Sequence, residues 1–190
     1  MRTTFLIILA FLIGLTACNK DDPEPPGPNC ETTCQNGGTV TSDCGCDCPA
    51  GFNGTMCQHQ QVPDRFIVTS IRLTGWEIHP DNGGNWDTGN GRPDIYFRFW
   101  YSSSIVHAQT GYIADCIPNT DYTYSSPGFP FYMDCGRTYP LQIFDEDGSY
   151  DQLMLNSYGI DIADFSNGLP TAIPVHSGDY SFQLIGYWQF

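Results

Sequence analysis

Residues 64–190 carry apolar and polar side chains in alternation, in short stretches separated by glycine, proline, asparagine and aspartate. In "FIVTSIRL" (66–73), Ile67, Ile71 and Leu73 share one predicted face, and "DIYFRFWY" (94–101) and "DYSFQLIGYWQF" (179–190) alternate in the same way. A period of two is typical of strands that are buried on one side. We therefore predict an all-β fold in which residues 64–190 form an antiparallel β-sandwich.

The first 17 residues have the pattern of an export signal. An apolar stretch, "FLIILAFLIGL" (5–15), follows Arg2 and is shorter than the roughly 20 residues that span a bilayer. The following "LTAC" (15–18) resembles the lipobox of bacterial lipoproteins, which implies cleavage before Cys18 and lipid on that residue. The alternative is an ordinary secretory signal followed by an unrelated cysteine.

Residues 18–29 are predicted to form an extended tether ahead of the first folded unit. Four prolines in "DDPEPPGPN" (21–29) are incompatible with a helix or a sheet interior and favour a polyproline-like extension. The "NKDD" that begins one residue after Cys18 is similar to a sorting tag of some Gram-negative lipoproteins. This similarity implies a lipid anchor in the outer membrane, with the protein facing the cell exterior.

Residues 30–57 contain six cysteines and too few apolar residues for a hydrophobic core. A unit of this size needs covalent cross-links or a metal ion to be stable. Because the chain carries an export signal, we expect oxidised thiols and therefore disulfides. The alternative is a zinc site built from Cys44, Cys46, Cys48 and His59, which the same signal disfavours.

The spacing of these cysteines resembles that of epidermal-growth-factor-like (EGF-like) domains. The resemblance rests on "CQNGG" (34–38) and "CDCPAGFNGTMC" (46–57). The pairing order of that family implies three disulfides: Cys30–Cys44, Cys34–Cys46 and Cys48–Cys57. The acidic stretch that precedes calcium-binding members of the family is replaced here by "PGPN" (26–29). The resemblance therefore implies that residues 30–57 are a spacer or a protein-contact unit.

Cys116 and Cys135 remain once the other cysteines are assigned. Nine cysteines and only seven basic residues are typical of a chain that works outside the cytoplasm. We therefore predict that Cys116 and Cys135 form a disulfide within the sandwich. Two buried thiols are the alternative.

The formal net charge of −14 disfavours nucleic acids and anionic membrane surfaces as partners, since both require a basic face. The sequence lacks the H-E-x-x-H, G-x-S-x-G and phosphate-binding glycine motifs, and its four histidines are scattered. We therefore predict that the chain is not an enzyme. A small hydrolase is the least favoured alternative.

Two acidic segments of the sandwich are candidates for a metal site. In "IFDEDGSYDQ" (143–152), an extended backbone places Asp145 and Asp147 on one side, and a turn at Gly148 brings Asp151 back toward them. The earlier segment "HPDNGGNWDTGNGRPDIYF" (79–97) supplies further carboxylates, those of Asp81, Asp87 and Asp94. Converging carboxylates are what Ca²⁺ requires, so we predict calcium as the cofactor. The alternative is that both segments are solvated turns, in which aspartate is common.

The same segments resemble the C-two domain, the calcium-dependent lipid-binding β-sandwich of protein kinase C and synaptotagmins. "RPDIYFRF" (92–99), "LQIFDEDGSYDQLM" (141–154) and "IPNTDYTY" (117–124) are similar to the calcium loops and a central strand of that family. The resemblance implies five calcium ligands, with Asp87 as a further candidate: Asp81, Asp94, Asp145, Asp147 and Asp151. The basic groove of lipid-binding members has no counterpart here, which favours calcium binding without a membrane contact.

Taken together, the sequence predicts a non-catalytic binding or adhesion protein of the cell surface, attached to the membrane through Cys18. Its partner is expected to be a protein or a glycan, and not a nucleic acid. The alternative function is a glycan-binding module for carbohydrate uptake or attachment. Candidate sugar-stacking residues for that function are Trp76, Trp86, Tyr122, Tyr124 and Tyr132.

The lipobox predicts that Cys18→Ser leaves the protein unprocessed or soluble, because no thiol is present to receive the lipid. The measurement is fractionation of cells followed by an alkaline wash of the membranes. A variant that has lost its signal peptide and still remains with the washed membranes would contradict lipidation of Cys18.

Overall fold

The computed structural model describes residues 30–80, 83–87 and 91–190, together with all side chains of these ranges except that of Ser157. The predicted signal peptide (1–17), the predicted lipidation site Cys18, the predicted tether (18–29) and the predicted ligand Asp81 lie outside the described residues. Among the helical residues that it does describe, no segment combines the length and the apolar character needed to cross a membrane.

Residues 30–60 form a small module, here called the cysteine module, with two short hairpins. Strand β1 (Thr39–Val40) pairs with β2 (Cys46–Asp47), and β3 (Phe52–Asn53) pairs with β4 (His59–Gln60). Three disulfides hold the module together, and they join Cys30 to Cys44, Cys34 to Cys46 and Cys48 to Cys57. These are the pairs that the EGF-like spacing implies.

The rest of the described chain forms an antiparallel β-sandwich, as the alternation predicts. Its strands are β5 (Arg65–Gly75), β6 (Ile95–Ser102), β7 (Ile105–Gln109), β8 (Tyr122–Tyr124), β9 (Phe131–Asp134), β10 (Thr138–Asp145), β11 (Gln152–Asp161), β12 (Ala172–Ser177) and β13 (Tyr180–Gln189). A single-turn 3₁₀ helix (Ile162–Phe165) follows β11. One sheet has the strand order β11-β10-β6-β7; the other has the order β12-β13-β5-β8, and β9 also pairs with β5.

The core lies between the inner faces of the two sheets. Phe97 of the four-stranded sheet contacts Phe182 and Tyr124 of the other sheet, with ring centroids 5.3 and 5.1 Å apart and edge-to-face geometry. Phe66 and Leu141 are also fully buried. Aromatic pairs of this geometry add to the free energy gained from burying apolar area. This packing fixes the ends of β6 and β10, from which the candidate site is built.

Strand β5 departs from the simple alternation predicted for it. Phe66 and Val68 are buried in its first half, whereas Ile67, which the pattern placed inside, is only half-buried. The register along β13 shifts here, because Ile185 pairs with Ser70 and Gly186 with Val68. One extra residue in β5 therefore forms a bulge, and a bulge reverses which side chains face the core.

The predicted Cys116–Cys135 disulfide is wrong, because both residues are free thiols. The amide of Cys116 donates to the carbonyl of Pro93, near the end of β10, whereas Cys135 lies three residues before β10 begins. Strand β10 therefore separates them by roughly 20 Å, against the 4.4–6.8 Å between Cα atoms that a disulfide requires, as estimated from the strand rise. Burial raises the pKa of the Cys116 thiol to about 11, which disfavours its reactive thiolate form.

The cysteine module packs on the end of the sandwich where β5 begins and β13 ends. The Gln60 side chain donates to the carbonyl of Ser166 (2.8 Å) and accepts from the amide of Gly168 (3.0 Å). Gly51 lies against the side chains of Leu169 and Phe190, where a Cβ atom would overlap both. The module is therefore held against the sandwich by both polar and apolar contacts.

Gly186 provides a test of the β5–β13 bulge. A Cβ atom at this position would overlap the carbonyl oxygen of Ile67, so Gly186→Ala is expected to lower the free energy of unfolding by about 1–3 kcal/mol. Gly75→Ala is the matched control in the same sheet, because its Cβ would lie 3.5 Å from its nearest neighbours. Urea denaturation measures both changes, and equal stability of the two variants would contradict the close approach at Gly186.

Candidate metal site

Asp145 is the last residue of β10 and the centre of the candidate site. Leu141 and Ile143 point into the core, and the same alternation turns the Asp145 side chain inward, where it is fully buried. Its Oδ1 accepts a hydrogen bond from the amide of Asp94 (2.6 Å). Its Oδ2 has no hydrogen-bond partner among the described residues. A buried carboxylate oxygen without a partner is energetically costly, and a proton or a bound cation would relieve that cost.

Two further carboxylates approach Asp145. One oxygen from each of Asp87, Asp145 and Asp147 lies within 4.8 Å of the other two. These three residues are called the carboxylate cluster below. The sequence predicts all three as candidate ligands, and the structure brings them together from two segments that are about 60 residues apart.

The carboxylate cluster shifts the proton equilibria of its own members. Burial is the main cause that raises the pKa of Asp145 to about 7; the charges of Asp87, Asp147 and Asp94 add to it, while the amide of Asp94 acts in the opposite direction. Burial also raises the pKa of Asp87, followed by repulsion from Asp94 and Asp147. Ionising all three carboxylates is therefore unfavourable until a positive charge is bound.

Gln152, which the sequence interpretation missed, connects the two acidic segments. Its Nε2 donates to the carbonyl of Trp86 and to Oδ2 of Asp147, both at 2.9 Å. Trp86 is itself fixed, since its indole N–H donates to the carbonyl of Glu77 (3.1 Å). The sequence gives no signal for this role, because it follows from strand register: Gln152 opens β11, opposite Asp145. Because paired residues share a face of the sheet, that position directs Gln152 toward the cluster.

The structure does not bring Asp151, a predicted ligand, into the carboxylate cluster. Its carboxylate accepts a hydrogen bond from the Tyr96 hydroxyl and lies 3.8 Å from the Arg98 guanidinium, on the outer side of the four-stranded sheet. Gln152 pairs with Asp145 and faces the cluster, so the preceding residue faces away from it. Gly148 does form a turn with positive φ, but this turn does not reverse the side of Asp151.

Asp94 lies next to the cluster but directs its carboxylate elsewhere. Its Oδ1 accepts from the amide of Asp115 (2.7 Å), while its backbone binds both Asp145 and Glu146. Asp94 therefore positions the cluster and adds negative charge to it, and its carboxylate is not one of the three closely spaced carboxylates. The remaining predicted ligand, Asp81, lies outside the described residues.

The aromatic residues proposed for sugar stacking do not form a common surface. Trp76, Trp86 and Tyr124 are buried in the core, Tyr122 is half-buried, and Tyr132 is exposed beside Arg65. The Tyr124 hydroxyl donates to the carbonyl of Ile95 (3.0 Å), which explains why this polar group is tolerated inside. These five positions therefore do not provide the predicted platform.

No protein-family model and no curated protein matches this chain. Similar solved structures include a C-two domain at 14% identity and a TM-score of 0.38, aligned over 63% of this chain and 92% of that one. Extended-synaptotagmin 2, solved as two C-two domains, aligns at 17% identity and a TM-score of 0.39. The alignment covers 74% of this chain and 46% of the synaptotagmin chain. Human group IVD cytosolic phospholipase A2, solved in complex with methyl gamma-linolenyl fluorophosphonate, aligns at 12% identity and a TM-score of 0.39. The alignment covers 65% of this chain and 17% of the phospholipase chain. This similarity concerns the fold alone.

The raised pKa of Asp145 predicts how stability depends on pH in a chelator. The pKa of Asp145 in the folded state is about 7, above the usual 3.8. The folded protein therefore loses stability relative to the unfolded chain as the pH rises above 3.8, because the unfolded chain ionises this group more readily. The free energy of unfolding should therefore increase as the pH falls from about 8 to about 5. Asp145→Asn keeps the Oδ1 acceptor, removes the charge and should stabilise the chelated protein at pH 8 by on the order of 2–4 kcal/mol.

Asp179→Asn, at an exposed turn position, is the control and should retain the slope of the wild type. The measurement is denaturant unfolding across the pH range. The same pH slope for Asp145→Asn and the wild type would contradict a buried, titrating carboxylate.

Proposed function

We propose that this chain is a non-catalytic binding protein of the cell surface, in which a calcium ion joins the two acidic segments of the β-sandwich. One observation carries this proposal: the fully buried carboxylate of Asp145 has an oxygen without a hydrogen-bond partner and lies within reach of Asp87 and Asp147. A bound cation would satisfy that oxygen and remove the repulsion among the three charges.

The chemistry of the ligands favours calcium over other common cations. The cluster offers carboxylate oxygens, and its described members include no histidine or cysteine, the ligands that zinc prefers. Ca²⁺ accepts six to eight oxygens in a flexible geometry and takes backbone carbonyls and water beside carboxylates. Mg²⁺ needs a more regular octahedron at shorter distances, which two separate loop segments supply less readily.

Calcium would connect segments that are otherwise joined by a few hydrogen bonds. Asp87 belongs to the connection between β5 and β6, whereas Asp145 ends β10 and Asp147 belongs to the connection between β10 and β11. Among the described residues, the Gln152 side chain joins the two segments through Trp86 and Asp147, and the Asp145 side chain joins them through the amide of Asp94. A shared ion would therefore order this end of the sandwich as a surface for a partner.

The attachment of the protein to a membrane is a separate part of the proposal. The support comes from the sequence: a lipobox-like "LTAC" ending at Cys18, a proline-rich tether and the "NKDD" tag. The three disulfides of the cysteine module add support, because such cross-links persist in oxidising compartments outside the cytoplasm. We place the protein on the outer membrane, facing the exterior, with a protein or a glycan as partner.

Calcium is expected to raise the melting temperature of the protein by several degrees. Extracellular calcium modules bind at about 10⁻⁴–10⁻³ M, so about 5 mM calcium stabilises the native state by roughly 1–2 kcal/mol. Asp147→Asn should abolish most of this shift, because it removes a ligand at the exposed side of the cluster. The measurement is a thermal melt with chelator, with calcium and with an equal concentration of magnesium.

Two control variants sharpen this test. Asp151→Asn should retain the calcium shift, since that carboxylate faces Arg98. Asp179→Asn should retain it because Asp179 is an exposed turn residue that is not part of the carboxylate cluster. Superimposable melts of the wild type in calcium and in chelator would reject the calcium proposal. Loss of the shift in Asp151→Asn would show that Asp151 reaches the ion after all.

A further inference from the structure

We infer that the outer face of the four-stranded sheet carries a shallow binding surface for neutral carbohydrate, centred on Trp100. This surface, called the Trp100 face below, consists of Trp100, Arg98, Gln142, Pro140 and Ser103. It lies on the side of β6 opposite the core, and it is separate from the carboxylate cluster. The inference goes beyond the calcium proposal and does not depend on it.

The side chains of β6 are aromatic on both faces, which a sandwich with a solvated outer face does not require. Phe97 and Phe99 point into the core, whereas Tyr96 and Trp100 point outward. The outer side of an antiparallel sheet is ordinarily polar. Trp100 is only half-buried and borders a depression of about 300 Å³ together with Pro140, Gln142 and Ser103. An indole in such a place offers part of its surface to a ligand.

The neighbours of Trp100 hold its ring in one orientation. Its Nε1–H donates to Oε1 of Gln142 (2.8 Å), and the Arg98 guanidinium lies 5.6 Å from its ring centre. Across the sheet, Pro140 pairs with Gly159, which has no side chain to cover the proline ring. The result is a flat apolar surface edged by an amide, a hydroxyl and a guanidinium. A ring that is fixed before binding loses little conformational entropy when a ligand arrives.

The chemistry of the Trp100 face matches a sugar ring. A pyranose presents C–H groups on one side, which stack on an indole, and hydroxyl groups at its edge, which need hydrogen-bond partners. Gln142 uses its Oε1 for Trp100 and keeps its amide N–H groups directed at no acceptor among the described residues. Ligand sites generally combine apolar surface with a few such polar groups.

The charge balance favours a neutral ligand over an acidic one. Arg98 is the basic residue of this face, and Asp151 lies 3.8 Å from it, with the Tyr96 hydroxyl accepting from the same guanidinium at 2.8 Å. Its charge is thus largely balanced within the protein. With a net charge of −14 on the whole chain, an anionic lipid or an acidic glycan would be repelled.

The test is binding of the full chain to an array of neutral oligosaccharides, in a detergent without a sugar headgroup. The best ligand is then titrated by tryptophan fluorescence and calorimetry. Trp100→Ala should weaken its affinity about tenfold or more, the value of one aromatic contact. Gln142→Ala retains the ring and should also weaken binding. Tyr187→Ala, an exposed aromatic residue on the other sheet, is the control and should bind normally.

Binding should be unchanged in chelator, because the Trp100 face is far from the carboxylate cluster. Trp100 lies five residues along β6 from Ile95, the residue that pairs with Asp145, and this separation is roughly 16 Å. Each contrary result overturns the inference. Absence of binding to every oligosaccharide excludes a carbohydrate site, and wild-type affinity in Trp100→Ala excludes this location. Loss of binding in chelator assigns the sugar to the carboxylate cluster, whereas Trp100-dependent binding of a polyproline peptide alone identifies a peptide surface.

Discussion

The burial of one carboxylate, that of Asp145, constrains the whole end of the sandwich at which it lies. Its inward direction follows from the alternation of β10, and its single hydrogen bond from the amide of Asp94 connects the start of β6 to the end of β10. The adjacent backbone bond from Glu146 to Asp94 strengthens the same junction. Because the second oxygen of Asp145 has no described partner, a proton or a bound cation would lower the free-energy cost of burying this carboxylate.

Much of this architecture is predictable from local patterns. The period of two identifies the strands that supply the core, such as β6 and β13, and the cysteine spacing predicts the three disulfides through its resemblance to EGF-like domains. What depends on pairing between distant strands is not predictable in this way. The bulge in β5 is visible only against β13, and it alone explains why Val68 is buried while Ile67 is not.

The candidate site shows the same division. The convergence of Asp145 with Asp147 follows from the short segment 143–152. Asp87 is predicted because the earlier segment 79–97 is also rich in aspartate. Asp151 lies away from the cluster and Gln152 faces it because Gln152, and not Asp151, pairs with Asp145. A shift of one residue in the register between β10 and β11 would exchange their positions. The failed Cys116–Cys135 pairing has a similar cause, since elimination among cysteines carries no information about which end of a sandwich each one occupies.

The docking of the cysteine module has a consequence for the orientation of the protein at a surface. The module contacts Phe190 and Leu169, near the start of β5, whereas the carboxylate cluster follows the opposite end of that strand. Eleven residues of strand separate the two ends by roughly 35 Å. If Cys18 holds the chain in a bilayer and calcium occupies the carboxylate cluster, the ion would lie at the end of the sandwich away from the module. An ion in that position would respond to the medium around the cell and to molecules approaching from outside, and not to the lipids below.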